Sequence, residues 1–125
     1  MLISIPVSLG ELVDKITILQ IKSRHLQGDA LGHVQRELQL LEAALAATGV
    51  ALDPALEAQL LEVNGQLWEI EDAIREQERQ RRFEQAFIEL ARSVYRTNDR
   101  RADLKRQINQ RYGSTLIEQK SYSAY

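Results

Sequence analysis

The chain has 125 residues, 44% hydrophobic and 27% charged, with a net charge of −2, an ordinary mix for one globular domain. With no cysteine and only His25 and His33, it offers neither a disulfide framework nor a thiolate or histidine-rich metal site. No apolar run approaches the ~20 residues of a membrane span, and Met1–Val7 lacks the basic region of a signal peptide. The expected location is therefore the cytoplasm, with no membrane partner.

Residues 1–7 alternate briefly between apolar and polar types and meet Pro6, so they are expected to form an extended arm. A first helix then begins at Ser8. Ser8-Leu9-Gly10-Glu11 is a capping box, in which the Ser8 hydroxyl accepts the Glu11 N–H and the Glu11 carboxylate reaches back to the Ser8 N–H. Leu9, Leu12, Val13, Ile16 and Leu19 make a stripe that Ile18 and Ile21 widen. Such a helix is expected to be covered on more than half its girth.

A second helix is expected from Asp29. Its Leu31, Val34, Leu38, Leu41 and Leu45 follow the 3-4 spacing of a coiled-coil seam. Gly49 suits the left-handed position that ends a helix. Asp53-Pro54 provides an N-cap with proline at the first helical position. The third helix carries Leu56, Leu60, Val63, Leu67, Ile70 and Ile74. Because the link is short, the second and third helices are expected to pair as an antiparallel hairpin.

A fourth seam, Phe83, Phe87, Leu90, Val94, Thr97, Arg101, Leu104 and Ile108, is out of phase with the third. A break is therefore expected between Gln77 and Arg82, although no Gly, Pro or Asn stands there. Residues 114–125 read as a short C-terminal tail. The expected fold is all-α: one domain over 1–125, an antiparallel bundle of about four long helices, with helix content above about 65% against a base rate of about a third.

The anomalies in this pattern are the candidate site. Thr97 and Arg101 occupy seam positions that call for apolar side chains, with Asn98 and Asp99 between them. A guanidinium facing a core must be paired. Two readings stay open: a structural ion pair with Asp14, Glu71 or Asp72, or a cleft in which Arg101 grips an anionic ligand. A purely structural arginine should tolerate replacement by leucine. Asp14 and Lys15 flank the stripe of the first helix. Trp68, Glu71, Asp72 and Arg75 share one face of the third, and Tyr95 lies one position off the fourth seam. Should these converge, Asp14, Lys15, Trp68, Asp72, Tyr95, Asn98 and Arg101 would line a polar inter-helix pocket.

Other chemistries fit less well. Glu11/Asp14 and Glu69/Asp72 are both E-x-x-D pairs, which could hold Mg²⁺ as in all-helical nucleotide pyrophosphohydrolases. The fuller E-E-x-x-E pattern of those enzymes is missing, and Glu11 already serves as a cap. No metal or cofactor is implied. Arg92, Arg96 and Arg100 form a basic row, but Asp99 and Asp103 interrupt it and no aromatic interleaving accompanies it, which argues against nucleic acid. Residues 28–74 sum to −8 and residues 75–111 to +5, so the two halves can pack beside each other or the basic half can meet acidic partners.

Ser8–Lys22, Leu67–Glu76 and Phe87–Asn109, with Glu118–Tyr122 in the tail, together resemble a family of small bacterial proteins, domain-of-unknown-function family 6165. The likeness spans nearly the whole chain and is longest in the fourth helix. It implies a free-standing bacterial domain and brings no activity. The functional expectation is a self-associating interaction domain, a homodimer joined through the second and third helices, which binds a protein partner or a small anionic ligand. The alternative is an enzyme acting on a phosphorylated or nucleotide-like molecule.

Overall fold

A computed structural model describes residues 1–116, 119 and 124. Four helices, α1 (Leu9–His25), α2 (Gly28–Ala47), α3 (Pro54–Arg79) and α4 (Gln85–Arg111), hold more than two-thirds of the chain, and the described residues contain no strand. The last residues of the expected tail, Tyr122 and Tyr125, lie outside the described set.

The caps place the helix starts. Ser8 accepts the Glu11 N–H at 3.1 Å, and Asp53 accepts the Ala55 N–H at 2.9 Å with Pro54 next in line. The other half of the expected capping box gives way to a tertiary bond, because the Glu11 carboxylate reaches across to Lys105 Nζ at 2.7 Å. The break between α3 and α4 falls at residues 80–84. There the Arg82 N–H donates to the Gln77 carbonyl and the Arg81 N–H to the Glu78 carbonyl. These are the two bonds of a Schellman motif. Arg81 occupies its left-handed position at φ 53°, where glycine is usual. That is why no Gly, Pro or Asn announces the turn.

α1 is the hub, with Leu12, Val13, Ile16, Leu19 and Ile21 all buried, and α2, α3 and α4 each pack against it. This corrects the expected pairing of α2 with α3: α2 lies along α1 and makes no close backbone approach to α3 or α4. Its leucine seam spends itself on α1, whose apolar girth is too wide for α3 and α4 to cover alone. No residue of α2 is fully buried, and only Leu45 near its end packs on the main core of Val13, Leu56, Leu60, Val63, Leu104 and Ile108.

α3 and α4 run antiparallel and outreach α1. At 1.5 Å per residue α1 is about 25 Å long and α3 about 39 Å. His25, the last residue of α1, stacks on Trp68, with ring centroids 4.6 Å apart and planes inclined by 18°. Every buried residue of α3 lies at or before Asn64, and every buried residue of α4 at or after Thr97. The rest of both helices projects as a two-helix hairpin.

Candidate functional site

Two polar rows meet where α1 crosses α4. On α1, Gly10, Asp14 and Thr17 stand at i, i+4 and i+7, one above the other on one face. On α4, Arg101, Lys105 and Asn109 stand at i, i+4 and i+8. The helices are antiparallel, so Gly10 meets Asn109 and Asp14 meets Arg101. The Gly10 N–H, left without a helical partner in the first turn of α1, donates to Asn109 Oδ1 at 2.7 Å. A Cβ at position 10 would lie 2.5 Å from the Lys105 carbonyl oxygen, so glycine sets how closely the two helices approach.

Asp14 is fully buried. Arg101 grips its carboxylate with both arms, donating from Nε to Oδ1 at 2.8 Å and from Nη2 to Oδ2 at 2.5 Å. Asn64 of α3 adds a third bond from Nδ2 to Oδ1 at 2.9 Å and a bond to Thr17 Oγ1 at 2.8 Å. The Thr17 hydroxyl in turn donates to the Asp14 carbonyl at 2.7 Å. Asn98 accepts a longer bond, 3.5 Å, from Arg101 Nη1. A bidentate fork with an added amide donor is the geometry that lets a carboxylate survive away from water. It ties α1, α3 and α4 at one point.

Of the residues singled out from sequence, Asp14, Asn98 and Arg101 meet in this cluster. Lys15 stays on the exposed face of α1 and Asp72 on that of α3. Trp68 is half-buried and turned to His25, and its indole Nε1 is enclosed with no acceptor among the described residues. Tyr95 is 41% exposed on the hairpin. Glu71 pairs with Arg75 on its own helix at 3.7 Å. Among the described residues, no three histidine or acidic side chains come together as a metal site would require. Asn64, Thr17, Lys105 and Asn109 were missed. Their signal was present as i+4 spacing from Leu60, Arg101 and Lys105 and i+3 from Asp14, but polar residues at such spacing are common on solvated helix faces.

Asp53 makes a second polar junction at the far end of the bundle. Its N–H donates to the Tyr112 hydroxyl at 2.6 Å, and its carboxylate takes Arg111 at 2.5 Å. The Ala55 N–H first, and the Arg111 bond after it, hold the Asp53 carboxyl below the ordinary carboxylate value. On the α3–α4 face that displays Gln66 and Arg100, an open depression of about 510 Å³ is lined by Gln66, Ile70, Ala73, Leu90, Thr97 and Arg100.

A family model described as a family of unknown function, domain-of-unknown-function family 6165, matches residues 3–125. The chain belongs to that family. No curated protein and no solved structure matches it. In this member of family 6165, the stretches that carried the resemblance supply both sides of the α1–α4 crossing. No helix among the described residues is long and apolar enough to cross a membrane.

Proposed function

We propose that this family 6165 protein is a non-enzymatic interaction domain that self-associates in the cytoplasm, with the Asp14–Arg101 cluster as the lock that holds its helices in place. The observation that carries this reading is the surface left uncovered. Large apolar side chains stand open to water among the described residues, and an interface between copies would cover surface of that kind. The large apolar side chains left exposed among the described residues lie mostly in the arm (Leu2, Ile3, Ile5) and around the projecting hairpin (Phe83, Ile88, Tyr95).

Asp14 has no exposed surface, and Arg101 already spends its fork on it, which supports the structural reading of the pair over an anion-binding one. Light scattering at high micromolar concentration tests the proposal, with an expected mass of twice 14.3 kDa. A monomer at that concentration overturns it. A rise in melting temperature specific to one nucleotide, sugar phosphate or Mg²⁺ would mark a bound small ligand, which stabilises by mass action, and would count against a purely structural role for the Asp14–Arg101 cluster.

A further inference from the structure

We infer that Asn64–Gly65 is a latent self-modification site: when α3 opens, the Asn64 amide is lost to hydrolysis, and the carboxylate that replaces it faces Asp14 and hinders the bundle from closing again. The step needs no partner molecule other than water.

The chain's asparagines are Asn64, Asn98 and Asn109, and of these Asn64 alone is followed by glycine. The backbone nitrogen of the following residue attacks the asparagine Cγ, the new N–Cγ bond closes a cyclic imide, and Nδ2 leaves as ammonia. Water then opens the ring at either carbonyl, giving aspartate or its isomer with the chain routed through the side-chain carbon. Nothing is oxidised or reduced. A Cβ on the following residue hinders the attack, and glycine has none. Asp99 and Gln110, which follow the other asparagines, each carry one.

In the folded protein the attack is held off in two ways. Asn64 and Gly65 lie inside α3, where helical geometry commits the Gly65 N–H to the Leu61 carbonyl and keeps the nitrogen away from the Asn64 side chain. Asn64 is 5% exposed, and its amide donates to Asp14 Oδ1 at 2.9 Å and to Thr17 Oγ1 at 2.8 Å. Opening α3 releases both restraints together.

The products cannot resume those bonds. Aspartate at position 64 presents oxygen where Nδ2 donated, against an Asp14 carboxylate with no exposed surface. The charged groups that face it are Asp14 of α1 and Arg101 of α4, whose fork already holds Asp14. Two carboxylates at one buried site ionise together only at a cost, so the new one keeps its proton to higher pH than in the unfolded chain. Each pH unit of that difference weakens folding about tenfold at neutral pH. The isomer adds a carbon to the backbone inside α3 and interrupts its ladder of hydrogen bonds. Gly65 has no packing task of its own, since nothing lies within 4 Å of an added Cβ, and so it can be replaced to test the chemistry.

The full chain is incubated at neutral pH, once well below its melting transition and once within it. Peptide mass spectrometry is expected to find deamidation at Asn64 in the second sample and not in the first. Deamidated chains, separated by their extra negative charge, should melt below the parent or not at all. Gly65→Ala should keep both its amide and its refolding yield through the same incubation. Asn64→Asp made directly should show its smallest deficit against the parent below about pH 4. The deficit should widen as pH rises, because a raised folded-state pKa loses stability in that direction. Deamidation as fast in the folded sample as in the melting one overturns the protection by α3. Modification of Asn98 or Asn109 in place of Asn64, or a Gly65→Ala chain that loses its amide as fast as the parent, removes the site. Deamidated chains as stable as the parent at neutral pH remove its consequence, and an Asn64→Asp deficit that does not change with pH overturns the part assigned to charge.

Discussion

Arg101 reaches 28% exposure along its side chain while the carboxylate it holds, Asp14, has none. The two partners therefore differ in what their loss leaves behind. Without its partner Arg101 can turn partly to water, whereas an unpaired Asp14 stays sealed among α1, α3 and α4, with Asn64 the remaining side-chain donor among the described residues.

That asymmetry reverses the expectation that a structural arginine here would tolerate leucine. Arg101→Leu strands a buried carboxylate and is expected to cost about 3–5 kcal/mol, the range for breaking a buried pair from one side. Asp14→Asn, which leaves a neutral group of the same shape, should cost less. Urea denaturation of both variants gives the order, and an equal or milder loss for Arg101→Leu would mean that the carboxylate finds water after all.

Two glycines should respond in opposite directions. Gly10→Ala puts a methyl group 2.5 Å from the Lys105 carbonyl oxygen, so α1 and α4 must separate and the Gly10–Asn109 bond must lengthen. The expected loss is about 2–3 kcal/mol, as for overpacking. Gly65 lies inside α3 with nothing within 4 Å of an added Cβ, and Gly65→Ala should gain about 0.5–1 kcal/mol through helix propensity. Thermal melts of the two variants on either side of the parent would bear this out.

Arg81 takes the left-handed conformation at the Schellman turn. For a residue with a Cβ this costs roughly 1–2 kcal/mol. Arg81→Gly is expected to stabilise the chain by about 1 kcal/mol after the entropy that glycine loses on folding. Chemical denaturation measures it, and a destabilised variant would show that the Arg81 side chain contributes more than its backbone costs.

The Asp53 carboxyl is held below the ordinary value of 3.8 by its bond from the Ala55 N–H and then by Arg111. A depressed folded-state value adds stability above the unfolded value and loses it as pH falls through the folded one. The stability difference between the parent and Asp53→Asn should thus be full at neutral pH and close progressively below about pH 4. A difference that stays constant down to the acid limit would assign Asp53 a role independent of its charge.

The helices were legible in the sequence because their signals are local. Ser8 and Asp53-Pro54 act on backbone groups two or three residues away, and the phase slip between Ile74 and Phe87 forces a break whatever residue stands at the turn. The arginine in the fourth seam was legible for a similar reason, since a charge facing a core demands a partner. Which carboxylate answers it was decided only by tertiary structure. Asp14, Glu71 and Asp72 are equally acidic on paper, and the choice rests on the antiparallel register of α1 and α4, which the Gly10 contact fixes. The partner of α2 was settled in the same way: its seam specifies an apolar neighbour but not which one, and the girth of α1 won it from α3. The open end of the hairpin follows from a length difference between α1 and α3 that each helix records separately and that acquires meaning only when the two are packed side by side.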